Sequence, residues 1–319
     1  MTDAYWHERR ATVTGAAGFI GSHLVERLAR LGARVTAIDR APLLFPALET
    51  PCRERVVPVC RDLASFDWER HLRDESPEVL FHLAGTSSVV GSIESPAADF
   101  GANVVETVRL LEAARRAGHR GTIVYQSSAA VYGRPTRLPV CEGDPTRPIS
   151  PYGVSKLACE RYLAVYCELY GLRGVSLRAF SVYGARQRKL IVYDVMCRLG
   201  ESPDDVWLAG DGEQTRDFIH VDDVVRALLI VAAKAPLSGE VYNVATGDSR
   251  SINELLECLA AVMGVKLGSI ERRPARKGDP ERWSADTSLI RSLGFAPQVP
   301  LDDGLLRTVE WYRSSLKVR

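Results

Sequence analysis

The sequence predicts an α/β fold: a doubly wound parallel sheet carrying a smaller α/β C-terminal lobe. Three observations support this. Short apolar strands alternate with amphipathic helices over the first 180 residues, the pattern of parallel β-α-β units. The first unit has glycines in its turn and an acid closing its second strand. Further on, Pro151-Tyr152-Gly153-Val154-Ser155-Lys156 opens a helix that sets a phenol and an ammonium one turn apart on one face.

In the first unit, residues 11–14 (Ala-Thr-Val-Thr) read as a buried strand, followed by Gly15-Ala16-Ala17-Gly18-Phe19-Ile20-Gly21. An amphipathic helix from Ser22 to Leu31 ends at Gly32, and the strand from Arg34 to Ile38 finishes on Asp39. Gly15 permits the tight turn, and Gly18 lets backbone amides approach a pyrophosphate at the helix N-terminus. Gly21 lets helix and strand pack closely. Asp39 stands 18 residues past Gly21, close to the roughly 20 at which a carboxylate holds ribose hydroxyls. Its charge repels a 2′-phosphate and so favours NAD over NADP, a preference that the adjacent Arg40 weakens.

The next strand, Arg55 to Cys60, ends in Arg61-Asp62-Leu63, with Asp62 within reach of an adenine edge. The strand Val79 to Leu83 opens into Ala84-Gly85-Thr86-Ser87-Ser88, a small-residue loop at the sheet edge where ligands of parallel sheets collect. His82, among apolar neighbours, is expected to be a packed residue. One long helix is expected from Pro96 to Gly118, with Asn103 inside it. The strand Thr122 to Gln126 brings Ser127 and Ser128 to the same edge, ahead of a proline-rich turn and the Tyr–Lys helix. The strand Gly174 to Arg178 follows. Residues 1–180 are thus expected to form a dinucleotide-binding domain. Residues 217–245 return to it as helix Asp222–Lys234 and strand Val241–Val244, and 181–216 and 246–319 make the second lobe.

A phenol titrates near pH 10 and must fall by roughly three units to accept a proton at neutral pH, a shift of the sign that a nearby fixed cation supplies. Bulk properties agree with an ordinary globular enzyme: 319 residues, 46% hydrophobic and 25% charged. A net charge of +1 argues against a nucleic-acid surface. The apolar runs are too short for a membrane span. The first ten residues show no apolar signal region, so a cytoplasmic location is expected. Seven scattered cysteines with no C-x-x-C pattern argue for reduced packing residues and against a metal site.

The chain resembles the extended short-chain dehydrogenase/reductases, in their nucleotide-sugar epimerase/dehydratase branch. The resemblance rests on Thr14 to Leu24, Ser127 to Gly133, Pro151 to Lys156, Leu177 to Gln187, Gly210 to Asp223, Arg276 to Asp279 and Asp286-Thr287. It implies a Rossmann domain and a catalytic trio of Ser128, Tyr152 and Lys156. Tyr152 would take the sugar hydroxyl's proton, Lys156 would hold the nicotinamide ribose and depress the phenol's pKa, and Ser128 would bond the reacting oxygen. It further implies NAD contacts from Gly15, Gly18, Phe19, Ile20, Gly21, Asp39, Arg40, Asp62, Leu63, Leu83, Ala84, Gly85 and Asn103. Substrate contacts are implied for Thr86, Ser87, Ser88, Ser128, Ser181, Arg188, Arg216 and Arg276, the last arginine pair as diphosphate clamps.

Two departures from the family pattern stand out. Ser181 occupies the place of a usual asparagine, and the stretch that follows is short and carries Arg186-Gln187-Arg188-Lys189. That basic run is either a solvated loop or a replacement for the lost amide, reading an extra anion such as a uronate. A dehydratase places an acid and a base directly after the active-site serine or threonine; here Ala129 and Ala130 stand there, and neither transfers protons. The resemblance therefore implies an NAD-dependent 4-epimerase, acting on a UDP-hexose or its N-acetyl or uronic acid form. A 4-ketosugar reductase or sugar-nucleotide dehydrogenase with the same trio is the alternative, and a non-catalytic NAD-sensing protein a third. The helices at 97–117 and 152–170 carry apolar residues beyond one stripe, and in the resembled family such helices pair across a two-fold axis into a four-helix bundle, so the resemblance implies a homodimer.

Overall fold

The structure, a computed structural model, describes residues 3–43, 45, 48–274 and 281–316. Its first six strands are β1 (Arg10–Thr14), β2 (Arg34–Asp39), β3 (Val56–Cys60), β4 (Val79–His82), β5 (Thr122–Ser128) and β6 (Arg173–Ala179). They are followed by β7 (Ser181–Tyr183), β8 (Asp205–Ala209), β9 (Thr215–His220), β10 (Ser238–Val244), β11 (Ser249–Ser251) and β12 (Ser269–Arg273).

Seven strands pair in the order β10-β6-β5-β4-β1-β2-β3, every pair parallel. The chain winds outward from β1 in both directions, so the switch in direction lies between β1 and β4. Ligands bind there because the loops leaving the two strands diverge and open a crevice. Residues of β4 are buried throughout, as are those of β1 past Arg10. The polar–apolar alternation of a half-exposed sheet is absent because helices cover both faces. On one face Val13, Leu24, Leu28, Val224 and Leu228 form a continuous core. On the other, Leu80, Leu110, Ile123 and Leu163 form a second. Edge strand β3 is largely exposed and tolerates Pro58, whose missing N–H would break a ladder in the sheet interior.

A third core, with Val195, Met196, Leu208, Leu255, Leu259, Leu305 and Val309, lies among helices Leu190–Glu201, Ile252–Met263 and Leu301–Leu316. Two small sheets accompany it, β11-β9-β7 and β12-β8. None of these short strands has a sequence pattern long enough to be read in advance.

The helix expected over 96–118 is divided. An α-helical Pro96–Phe100 leads into a wide π turn, Gly101–Val105, before the α-helix Glu106–Arg116. The carbonyl of Asn103 is taken by the Thr107 hydroxyl at 2.6 Å and the Cys159 thiol at 3.4 Å. These side chains occupy an acceptor that a regular helical ladder would use.

His82 is packed, as expected. Its Nδ1 shares a hydrogen bond with Thr14 Oγ1 at 2.8 Å and its Nε2 with Thr107 Oγ1 at 3.0 Å. Burial, with the Lys156 charge adding to it, pushes its pKa down to about 3. All seven cysteines are free. Among the described residues no cluster of metal-ligating side chains occurs, and no helix is long and apolar enough to cross a membrane.

Candidate active site

The carboxyl ends of the parallel strands border a cavity of about 970 Å³ that reaches from Asp39 to Arg216 and Trp283. At one end lies the glycine loop. Gly15 sits at φ +67°, and a Cβ there would come within 2.9 Å of the Leu83 carbonyl. A Cβ on Gly21 would lie 2.0 Å from the Gly15 carbonyl oxygen, so only glycine lets the helix meet the loop. Helix Phe19–Arg30 has no side-chain cap, which leaves its first amides free for an anion. Asp39 accepts from the Ala17 amide at 3.0 Å and the Ala41 amide at 2.9 Å, steadying the loop from the end of β2.

Arg40, Asp62 and Leu63 line the same end, and Leu83, Ala84 and Gly85 the floor. Asp62 also caps the turn Leu63–Ser65 by accepting from Ala64 at 2.9 Å. Asn103 does not line the cavity. It is buried behind the small-residue loop, donating to Thr86 Oγ1 at 2.8 Å and Asp99 Oδ1 at 2.9 Å. The π turn rotates it there, which periodicity could not show. A bare glycine cradle, open helix amides and a carboxylate at the β2 end together fit a dinucleotide.

At the centre stand the trio. Ser150 caps the helix Pro151–Tyr170 by accepting from Gly153, and Ser92 Oγ accepts from the Tyr152 amide at 3.1 Å. Tyr152 is buried, with its phenol hydrogen-bonded to Ser128. Ser128 is itself fixed where β5 ends, accepting from Ala130 N at 3.2 Å.

The electrostatics differ from expectation. Burial pushes the phenol's pKa up to about 12, and the Ser128 hydrogen bond only partly offsets it. The Lys156 ammonium donates to the Gln126 carbonyl at 2.8 Å and lies 5.8 Å from the Tyr152 ring centroid. It is turned toward β5, so in this state it does not depress the phenol. Burial lowers the pKa of Lys156 as well. Loss of hydration outweighs the attraction between the two groups.

Beneath Ser128 lies a polar network that sequence reasoning missed. Arg178 and Glu160, both almost fully buried, form a bidentate pair at 2.9 and 2.7 Å. Ser127 Oγ donates to Glu160 at 2.5 Å, and Arg178 donates to the Tyr132 hydroxyl at 2.8 Å. An arginine inside an otherwise apolar strand was the available signal, because such a charge must find a buried partner.

On the substrate side, Thr86, Ser87, Ser88, Ser181, Arg188 and Arg216 all line the cavity. Arg216 is buried in β9 and donates to the Thr215 carbonyl at 2.8 Å. Arg276 lies outside the described residues. The basic run is only partly solvated: Arg186 is half-buried, whereas Arg188 and Lys189 are exposed. Arg186 makes two 2.8 Å contacts to buried Glu26, Arg188 lies 5.5 Å over the Trp311 ring, and Lys189 reaches Ser87 Oγ at 2.7 Å. Beyond it the chain is helical, Leu190–Glu201.

A phenol and an ammonium on one helix, facing a serine across a dinucleotide crest, is the arrangement of the short-chain dehydrogenase/reductases, an enzyme class. The sequence profile of the NAD dependent epimerase/dehydratase family matches residues 11–245. The UDP-glucose 4-epimerase of Mycolicibacterium smegmatis is 39% identical over 317 residues, covering 96% of this chain and 99% of the relative. Among solved structures, a UDP-N-acetylglucosamine 4-epimerase from Methanobrevibacter ruminantium M1, in complex with UDP-N-acetylmuramic acid, superposes with a TM-score of 0.89 at 32% identity. That match covers 97% of this chain and 99% of the other. A UDP-glucuronic acid 4-epimerase from Bacillus cereus, in complex with UDP-glucuronic acid and NAD, gives 0.85 at 30% identity, covering 96% and 99%. The chain belongs to the NAD dependent epimerase/dehydratase family.

Proposed function

We propose that the protein is an NAD-dependent nucleotide-sugar 4-epimerase acting on a UDP-hexose or its N-acetyl or uronic acid form. The observation that carries this reading is that the two positions after Ser128 hold no proton-transfer group. Ser128 and Tyr152 are hydrogen-bonded in the cavity, and the positions after Ser128 are filled by Ala129 and Ala130. A dehydratase needs an acid and a base there.

Bound NAD supplies a hydride acceptor that later returns the hydride. Gly15, Gly18, Phe19, Ile20 and Gly21 would hold its diphosphate on backbone amides, and Asp39 its adenine ribose. Leu63 and Asp62 would border the adenine, and Leu83 to Gly85 the middle of the cofactor. Tyr152 takes the proton of the sugar's C4 hydroxyl, and Ser128 holds that oxygen. Lys156 would hold the nicotinamide ribose, and its positive charge is of the sign that would lower the phenol's pKa. Because Ala129 and Ala130 transfer no protons, elimination has no acid and base at those positions, and the 4-keto sugar is reduced again. Tyr152 then returns its proton to the oxygen on whichever face the hydride arrives.

Arg216 would face the substrate diphosphate, with Arg276 as its partner. Ser181, Arg188 and the loop Thr86 to Ser88 would border the sugar. The lobe that would hold the nucleotide comprises 181–216 and 246–319, with 217–245 returning to the cofactor domain of 1–180. Purified protein incubated with UDP-glucose, UDP-N-acetylglucosamine or UDP-glucuronate should convert at least one to its galacto epimer without added cofactor. Net appearance or loss of NADH with no epimer from any of them would overturn the reading in favour of a dehydrogenase or reductase.

Phe100, Val105, Val154, Tyr162, Val165 and Leu169 are exposed on neighbouring helices, Leu169 at 64%. An apolar surface of this kind supports a homodimer that pairs these helices into a four-helix bundle. Leu169→Glu should then shift the protein from dimer to monomer in sedimentation velocity, and a wild-type monomer would exclude the dimer. The free cysteines are in keeping with a cytoplasmic location, which cell fractionation checks.

A further inference from the structure

Helix Phe19–Arg30 opens onto the cavity at its start, where Phe19, Ile20 and Gly21 line it, and further along it grips a second part of the same cavity. Glu26 stands about 10 Å down the helix axis from Phe19. Its side chain is 4% exposed and lies outside the cavity lining. Arg186 Nη2 donates to both carboxylate oxygens of Glu26 at 2.8 Å. On the same face of the helix, one turn earlier, His23 Nε2 donates to the Ala185 carbonyl at 2.9 Å. Two successive residues of the loop after β7 are thus fastened to the helix that frames the glycine loop.

This anchor holds the start of Arg186-Gln187-Arg188-Lys189, four residues that all line the cavity. Arg186 at φ +72° and Leu190 at φ +73° bracket the run in left-handed backbone, which non-glycine residues keep only where the surroundings impose it. Gln187 is buried and donates to the Val182 carbonyl at 2.8 Å. Arg188 and Lys189 are exposed. Arg188 lies 5.5 Å over the Trp311 ring, near the outer reach of a cation–π contact, and the bond from Lys189 to Ser87 is open to solvent. Contacts of exposed charges hold a side chain weakly. A buried carboxylate engaged through both oxygens holds far better, so the Glu26 contact decides where the two exposed cations stand.

We propose that Glu26 is a positioning residue for the sugar half of the substrate. Through Arg186 it sets the basic run against the cavity, in register with the helix whose first turn faces the cofactor. The inference rests on the reading of the cavity as a nucleotide-sugar site, with Arg188 bordering the sugar and Arg216 facing the diphosphate. Loss of the anchor then weakens the sugar end and spares the nucleotide end.

The experiment compares NAD-loaded Glu26→Gln with the parent in two measurements. Calorimetry gives the Kd of UDP and of UDP-glucose, UDP-N-acetylglucosamine and UDP-glucuronate, and mass spectrometry locates the first cut made by trypsin. Glutamine keeps the size of the side chain and removes its charge. The Kd of whichever UDP-sugar the parent binds tightest should rise on the order of tenfold, the worth of one charge-assisted hydrogen bond. The Kd of UDP should stay close to the parent's, and trypsin should cut first, and faster, after Arg186, Arg188 or Lys189. A merely structural pair would weaken UDP and UDP-sugar alike or change neither, and either result would overturn the proposal. Should Glu26→Gln fail to fold, Glu26→Asp decides, since it keeps the charge and shortens the reach by one methylene. A raised ratio of UDP-sugar Kd to UDP Kd supports the proposal, and an unchanged ratio refutes it. A parent that binds no UDP-sugar would sink the functional reading instead. The trypsin measurement then judges the anchor alone: faster cutting within the run supports it, and an unchanged first cut refutes it.

Discussion

Tyr152→Phe is expected to lower kcat by about 10²–10⁴-fold, the range that a positioned general acid–base group contributes. The ring is buried, and phenylalanine keeps its packing; what leaves is one hydroxyl and its bond to Ser128. Thermal stability should therefore change little, and the Michaelis constant should stay close to that of the parent, since the lost step is a proton transfer. Measured together, kcat, KM and the melting temperature separate this outcome from misfolding. Turnover within a few-fold of the parent would remove Tyr152 from the chemistry.

Arg178→Met should cost about 3–5 kcal/mol of stability, the range for breaking a buried ion pair by removing one partner. Both side chains of the pair are 3% exposed, so Glu160 would be left as an uncompensated charge that water cannot reach. Ser127 and Tyr132, which share the network, would lose register with it. Removing both charges, as Glu160→Leu with Arg178→Met, should recover much of the loss, since the desolvation cost disappears along with the attraction. Urea denaturation of the single and double variants reads both effects. A single variant within about 1 kcal/mol of the parent would show that the charge reaches solvent by another route.

The two predictions probe different depths of one crest. Ser128 touches the phenol, and Ser127, its neighbour on β5, touches Glu160. The alternation of a strand aims one serine at the cavity and the other at the buried pair.

Much of the dinucleotide half was legible in the order of residues. Strong local rules act there: glycines at a turn where a Cβ would collide with Leu83 and Gly15, apolar runs of strand length, and an acid at a strand end. The second lobe was largely illegible. Its strands β7, β8, β11 and β12 are three to five residues long, and they pair across long separations, as Ser269 of β12 does with Asp205 of β8. Partner choice, rather than local pattern, makes them strands. The basic run shows the same limit. Its charges were visible, but their partners Glu26, Ser87 and Trp311 come from distant segments.

The sequence by itself determined the fold class and the dinucleotide crest, because spacing at a glycine turn is a local property, and its resemblance to the family pointed to Ser128, Tyr152 and Lys156 as the proposed trio. It also settled by subtraction what Ala129 and Ala130 cannot do. Only the tertiary structure decided the electrostatic state of the trio. Burial, which has no signature in residue order, raises the phenol's pKa, and the fold aims Lys156 at Gln126 rather than at Tyr152. Charges act through distance and solvent exposure, and both are fixed only when Asp99, Glu160 and Arg178 are folded around the site.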